Sequence, residues 1–224
     1  MARHRRPRRG TARPARDNAF INLPYDRRYE AMYVAFIAGL SAFGLIPRAT
    51  VEIPGSARRL DRIVGLLRRC RYSFHDLSRV GIDRGPPPTP RFNMPFELGL
   101  AVVLEKAGYQ HDWFVFEERP HRMTKSLSDL NGTDPYIHGG RPEGVMRALA
   151  NALVRMRHRP TASQLRALYL FGRQPRPSNG IFRWDHVEAR AFKELVVAAH
   201  VSAQNGVPSL RRPPSASQRA RRRH

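Results

Sequence analysis

The stretch RFNMPFELGLAVVLEKAGYQHDWFVFEE (residues 91–118) joins a helical pattern to a strand pattern and decides the fold class. Residues 94–107 are mostly apolar and predict a helix, in which Pro95 is tolerated because it falls in the first turn. Residues 111–118 are rich in aromatic and branched side chains and predict a strand. A single carboxylate, Glu97, lies just inside the start of the helix.

The same alternation of strand and helix extends in both directions from this stretch. A Pro/Gly-rich loop (81–93) precedes it, and two further helices are expected after the alternating region, at 161–173 and 185–204. The other predicted strands are 18–23, 45–53, 72–78 and a short one within 133–140, and the other predicted helices are 26–43, 56–70, 123–132 and 141–157. This order predicts an α/β fold: a flavodoxin-like five-stranded parallel sheet (order 2-1-3-4-5) with helices on both faces, plus C-terminal helices.

Charge and composition divide the chain into four expected segments. Seven arginines in residues 1–16 and six in residues 211–224 account for thirteen of the 22 net positive charges. Residues 1–16 and 207–224 are therefore expected to be disordered basic tails, around an α/β domain at 17–158 and a C-terminal helical extension at 159–206. Arginine-rich tails neutralise phosphates, so non-specific nucleic-acid binding is one expected partnership. A high arginine content typical of a GC-rich coding sequence explains the same tails without any function.

Composition also bears on compartment and on metal binding. The single cysteine, Cys70, permits no internal disulfide and fits a reducing cytoplasm, which is the expected location. No run of eighteen apolar residues and no signal-peptide pattern is present, so no membrane association is expected. The spacings CxxC and CxxH are both absent, and we expect no metal site.

Several polar and aromatic residues are expected to converge on one cleft. In an open parallel sheet, ligands bind beyond the C-terminal ends of the strands where the strand order reverses, here between strands 1 and 3. The residues that follow these strands or begin the next helix are Asn22, Pro24, Tyr25, Asp26, His75, Asp76, Ser78, Arg79, Phe92, Asn93 and Glu97. One carboxylate, several hydrogen-bonding groups and aromatic rings would then face the same ligand.

Five of these candidates also have a purely structural interpretation. An acid in the first turn of a helix complements the helix dipole, so spacing alone leaves Glu97 open between a helix-end charge and a catalyst. Asn93 is expected to cap that helix, and Asp26 to cap the first helix. Asp76 fits a loop cap after a strand, and His75 fits a packed ring.

The segments FINLPYD (20–26), HDLSR (75–79) and FNMPFELGLA (92–101) together resemble bacterial TIR-like proteins, a branch of the Toll/interleukin-1 receptor domain superfamily. They also resemble the nucleoside 2-deoxyribosyltransferases, which share the sheet topology. The resemblance covers roughly residues 18–157. In both groups a glutamate at the start of the helix after the third strand acts on an N-glycosidic bond.

The resemblance implies a role for each matching residue. It implies that Glu97 is the catalytic carboxylate, and that NAD is a substrate rather than a cofactor. The implied substrate-binding residues are Phe20, Asn22, Pro24 and Asp26 after strand 1, Asp76 and Ser78 after strand 3, and Asn93 beside the catalytic position. Tyr25, Arg79 and Phe92 complete the set by their place in the predicted cleft. Arg79, Arg91 and Arg122 are candidates to hold a pyrophosphate.

Three functions remain open on these grounds. The first is a TIR-like enzyme that hydrolyses or cyclises NAD, with a bacterial defence role and self-association implied by the resemblance alone. The second is a nucleoside or nucleotide N-glycosidase or transferase that uses the same Glu97. The third is a non-catalytic module that binds a nucleotide or a protein, with tails that bind nucleic acid.

Overall fold

A computed structural model describes residues 15–25, 27–53, 58–83, 85–130, 132–174 and 189–205. The strands are β1 (Ala15–Asn22), β2 (Ile46–Ala49), β3 (Cys70–Asp76), β4 (Ile82–Asp83), β5 (Thr89–Pro90), β6 (Asp112–Glu117) and β7 (Tyr136–Ile137). The helices are α1 (Glu30–Ala42), α2 (Arg59–Arg68), α3 (Asn93–Lys106), α4 (Arg122–Ser126), α5 (Pro142–Ala152), α6 (Ala162–Gly172) and α7 (Ala189–Asn205). Most of the two predicted basic tails lies outside the described residues.

Five strands form one parallel sheet in the order β2-β1-β3-β6-β7. The predicted α/β class with a five-stranded parallel sheet and helices is therefore confirmed. The strand numbers differ from the predicted 2-1-3-4-5 because two short strands, β4 and β5, form a separate antiparallel hairpin inside the Pro/Gly-rich loop. Proline and glycine were expected to exclude regular structure from this loop, but two-residue strands need few backbone hydrogen bonds.

Two strand ends differ from the predicted ones, because backbone hydrogen bonds determine where a strand begins and ends. β1 begins at Ala15, because the Ala15 N–H donates to the Arg69 carbonyl and Ala15 pairs with Cys70. The side chains at the start of β1 are exposed, so no apolar pattern in the sequence predicts this pairing. β2 ends at Ala49 and continues as a 3₁₀ turn (Thr50–Glu52), whereas a strand had been predicted as far as residue 53.

The side chains of the sheet alternate between two apolar layers. Ala19, Ile21 and Phe74 pack into the core that contains α1 and α5. Phe20 packs on the opposite face, with Leu66 of α2 and other side chains of α2 and α3. This period of two follows from strand geometry and determines which face of the sheet each polar residue at a strand end will meet.

Helix α1 is buried on every side rather than along one stripe. All of its residues from Met32 to Ala42 are buried, and α5, α6 and α7 all pack against it. Gly172 of α6 allows a close approach, since a Cβ at this position would lie 2.8 Å from a methyl group of Val34. A helix that is apolar all round is expected to be buried, so the composition of α1 accounts for this central place. None of the helices in the described ranges is long and apolar enough to cross a membrane.

Candidate functional site

A cleft of about 980 Å³ opens at the C-terminal end of β1, on the α2 and α3 face of the sheet. Its walls come from the segments after β1 and β2, the first turns of α2 and α3, and the β4–β5 hairpin. The lining residues are Asn22, Leu23, Pro24, Tyr25, Thr50, Arg59, Leu60, Ile63, Gly85, Pro86, Pro87, Thr89, Pro90, Arg91, Phe92, Asn93, Met94, Phe96 and Glu97. The structure thus brings together six of the predicted site residues: Asn22, Pro24, Tyr25, Phe92, Asn93 and Glu97.

Glu97 is the buried carboxylate of this cleft. Its side chain lines the cleft although the residue is only 8% exposed. Within the described part of the chain, Glu97 makes no hydrogen bond and no ion pair. Burial raises the pKa of Glu97 to about 7, and attraction to the Arg59 guanidinium offsets a part of this shift. A carboxyl group poised near neutral pH, without a hydrogen-bond or ion-pair partner among the described residues, can meet a positive charge on a ligand.

Asn22 fixes the start of the helix that carries Glu97. Its side-chain amide donates to the Met94 carbonyl at 2.9 Å and lies 3.1 Å from His75 Nδ1. Both amide hydrogens of this buried side chain are therefore used by the protein, which ties the end of β1 to the first turn of α3. Asn93 was expected to cap α3, but it is the first residue of the helix, Phe92 occupies the capping position, and no side chain caps it.

His75 lies behind Asn22 on the same face of the sheet. Burial lowers the pKa of His75 to about 3, so the ring is neutral. Because the Asn22 amide donates to Nδ1, the ring proton lies on Nε2, which has no hydrogen-bond partner among the described residues. The Phe20 ring lies 6.0 Å from the imidazole. His75 is thus a packed ring, as its structural interpretation had it.

The mouth of the cleft is aromatic and apolar. Phe92 and Phe96 are 66% and 54% exposed, one turn apart at the start of α3. Tyr25 and Leu60 are also exposed at the rim. Large apolar side chains exposed together around a concave site are typical of ligand-binding surfaces, and aromatic rings offer flat faces to planar or cationic groups.

Two arginines bring positive charge to the same walls. Arg59 begins α2 and donates from Nη1 to the Ile53 carbonyl at 3.2 Å, while Arg91 precedes α3. Of the three arginines predicted to hold a pyrophosphate, only Arg91 lines the cleft. Arg122 donates instead to the backbone carbonyls of Ser78 and Leu77, at 2.9 and 3.3 Å.

Besides His75, four predicted site residues do not line the cleft, and Asp26 lies outside the described residues. Phe20 is fully buried in the core, and Arg79 is absent from the cleft walls. Asp76 and Ser78 are buried on the opposite face of the sheet, because Asp76 follows His75 and successive strand residues point to opposite faces. The predicted binding roles of these residues stay predictions.

Asp76 belongs to a separate polar network on the α1 face. Its carboxylate accepts hydrogen bonds from the Tyr29 hydroxyl and, at 2.8 Å, from the Ser78 backbone N–H. His138 Nε2 lies 3.0 Å from both Asp76 Oδ2 and Ser78 Oγ. The Gly140 N–H donates to His138 Nδ1 at 3.1 Å, which leaves the proton of a neutral ring on Nε2, facing Asp76 and Ser78. The network joins the ends of β3 and β7 and is closed to solvent.

A second buried acid, Glu117, lies at the end of β6 beside this network. Burial raises the pKa of Glu117 to about 7, opposed mainly by the Arg122 guanidinium, whose Nη1 lies 3.8 Å from Glu117 Oε2. The distance is too long for a hydrogen bond, and Oε2 has no hydrogen-bond partner within the described ranges. Glu117 does not line the cleft.

Several residues of the cleft were not predicted from the sequence. Thr50, Arg59, Leu60 and Phe96 all line it, and none was predicted. Phe96 carried a usable signal, because it lies beside Glu97 and four residues after Phe92, the spacing that places two side chains on one helix face. Arg59 and Thr50 carried none, since their place depends on how α2 and the turn after β2 pack.

Among the described residues, no group of three or more His, Cys, Asp or Glu could hold a metal ion. Comparison with known proteins gives no match. No family model, no curated protein and no solved structure is significantly similar to this chain.

Proposed function

We propose that this chain cleaves the N-glycosidic bond between nicotinamide and ribose in NAD, with Glu97 as the carboxylate at the reacting carbon. One observation carries the proposal: Glu97 is buried, has no partner in the described protein and lines the cleft. The resemblance of FINLPYD and FNMPFELGLA to TIR-like proteins supports the same reaction. The fold class alone would not, because one fold carries many functions.

The proposed chemistry needs a negative charge next to the sugar and little else. Cleavage of the bond between ribose C1′ and the nicotinamide nitrogen leaves positive charge on the sugar, which a nearby carboxylate stabilises or traps. The bonding electrons go to the pyridinium nitrogen, so nicotinamide leaves as a neutral molecule without protonation by the enzyme. Water then adds to C1′ and releases one proton. The products are nicotinamide, ADP-ribose and a proton.

The cleft walls suit a nucleotide of this charge distribution. The exposed rings of Phe92, Phe96 and Tyr25 can stack on a cationic pyridinium ring above Glu97. Arg59 and Arg91 provide positive charge for a pyrophosphate. A neutral nucleoside would use neither the rings' preference for a cation nor the arginines, and this favours NAD over a deoxynucleoside.

The test measures nicotinamide release from NAD by the full-length protein and by two variants. Glu97→Gln keeps the size of the side chain and removes its charge, and we expect it to abolish release. Glu105→Gln, a matched change two turns further along α3 and away from the cleft, should leave release unchanged. Protein concentration is varied, because activity that needs self-association appears only at high concentration.

Other outcomes would replace the proposal. Release of free base, or base exchange, from deoxynucleosides with no action on NAD would favour the nucleoside N-glycosidase or transferase. Tight NAD binding without turnover at any protein concentration would favour a binding module. Full activity of Glu97→Gln would show that Glu97 takes no part in the reaction. The predicted place of Glu97 in the first turn of the helix was wrong, because Glu97 is the fifth residue of α3 and the first turn holds no acid.

A further inference from the structure

The last helix, α7, packs behind one wall of the cleft. It lies on α1 and also touches β2 and the 3₁₀ turn Thr50–Glu52 that follows β2. Thr50 lines the cleft. A helix beyond the five-stranded unit is therefore in contact with a segment that shapes the site.

Three aromatic rings connect α7 to the cleft. The Phe192 ring of α7 meets the Tyr33 ring of α1 edge-on, with centroids 6.3 Å apart and planes at 69°. The Tyr33 ring lies 5.8 Å from the Tyr25 ring, at 47°. Phe192 and Tyr33 are fully enclosed, while Tyr25 reaches the cleft rim. These separations fall in the range in which aromatic pairs interact directionally.

The Tyr25 side chain has a second contact in the same wall. Its hydroxyl lies 3.3 Å from Thr50 Oγ1. Tyr25 follows β1 in a segment outside the helices and strands. The Tyr25 ring thus contacts Tyr33 behind it and Thr50 beside it, and α7 contacts the elements that carry both.

We propose that Phe192 is a positioning residue for the cleft, which holds the Tyr25 ring in place through Tyr33. The C-terminal helical extension is then a part of the binding site, although none of its described residues (159–174 and 189–205) lines the cleft. The consequence for ligand affinity rests on the proposed function; the positioning of Tyr25 does not.

The positioning is tested without a ligand, by NMR of the full chain labelled with ¹³C at tyrosine Cζ. A Tyr25→Phe variant assigns the Tyr25 resonance. Phe192→Leu keeps most of the side-chain volume and removes the ring, so the fold should survive. We expect the Tyr25 and Tyr33 resonances both to shift in this variant.

The control is Leu165→Val, which trims a buried side chain of α6 in the same core. We expect it to leave the Tyr25 resonance in place. A Tyr25 resonance that does not move in Phe192→Leu overturns the proposal, even if Tyr33 moves. An equal movement in Leu165→Val also overturns it, because general loosening of the core would then explain both results.

A second measurement concerns affinity, in a Glu97→Gln background that cannot turn NAD over. Addition of Phe192→Leu should raise the dissociation constant of NAD about fivefold, the effect of one lost aromatic contact. Addition of Leu165→Val should not raise it. If NAD binds neither to the unchanged protein nor to Glu97→Gln, the choice of NAD is wrong, and the NMR result still decides the role of Phe192.

Discussion

The side-chain amide of Asn22 donates to the main-chain carbonyl of Met94 at 2.9 Å, three residues before Glu97. The same amide lies 3.1 Å from His75 Nδ1. One buried side chain at the end of β1 therefore links two central strands to the first turn of α3. The place of Glu97 in the cleft depends on this link, because the helix start has no side-chain cap of its own.

Loss of the Asn22 amide should loosen the start of α3. We expect Asn22→Ala to lower the free energy of unfolding by about 2 kcal/mol, since it removes two hydrogen bonds to buried acceptors. If NAD is cleaved, kcat should fall more than KM rises, because Glu97 is misplaced. Asn93→Ala is the control, an exposed change at the same helix start that should cost less than about 0.5 kcal/mol. Equal losses of unfolding free energy in the two variants would contradict the role of Asn22.

Replacement of the Glu97 carboxylate should stabilise the protein at alkaline pH. The folded pKa of about 7 lies above the ordinary value of 4.5, so ionisation of Glu97 opposes folding increasingly as pH rises from 4.5 to 7. We expect Glu97→Gln to raise the free energy of unfolding at pH 8 by about 3 kcal/mol. Denaturant unfolding measures this gain, which should disappear near pH 4. Glu105→Gln should show no such gain, and a destabilised Glu97→Gln at pH 8 would mean that the carboxylate has a partner.

The proposed cleavage of NAD should depend on pH through the same group. Only ionised Glu97 can stabilise positive charge on the sugar, so kcat/KM should rise as pH increases through about 7 and level off above it. Below this pH the slope of log kcat/KM should approach one. The profile of the free enzyme is the measurement, with protein stability monitored at each pH. A profile already flat at pH 5 would show that Glu97 ionises normally or takes no part.

Gly144 should tolerate no side chain. A Cβ at this position would lie 1.8 Å from the His138 carbonyl oxygen, a backbone atom that cannot move aside without displacing the turn before α5. We expect Gly144→Ala to cost more than about 3 kcal/mol of stability, measured by thermal or denaturant unfolding. Gly99→Ala, in a helix with open space around the added methyl group, should instead be neutral or slightly stabilising. A stable Gly144→Ala would show that the turn can shift.

Asp76 should act in stability rather than in the cleft. Asp76→Asn weakens its bonds to Tyr29, Ser78 and His138, all within a network closed to solvent, and we expect a loss of about 3 kcal/mol. The pKa of Glu97, followed by ¹³C NMR of the glutamate carboxyl groups, should not move, because the two acids lie on opposite faces of the sheet. A shifted Glu97 titration would show that the two sites communicate.

The pattern of apolar and polar residues along the chain was sufficient to predict the class of fold and some of the residues that line the cleft. Apolar runs with strand or helix periods predicted the parallel sheet, since these periods follow from local backbone geometry. Six predicted residues, including Glu97, line the cleft, because the ends of parallel strands must meet at one edge of the sheet.

Tertiary packing determined the other features of the site. Asp76 and Ser78, like Asn22, follow predicted strands and were expected to face the same cleft. Side chains alternate along a strand, however, and Asp76 therefore lies on the α1 face. Arg59 and Thr50 entered the cleft through the packing of α2 and of the turn after β2, over distances that no local pattern encodes. The raised pKa of Glu97 also depends on tertiary structure, because the burial that raises it is produced by all the elements that surround the residue. Local patterns determine which elements form, and only the assembled core determines what each polar side chain meets.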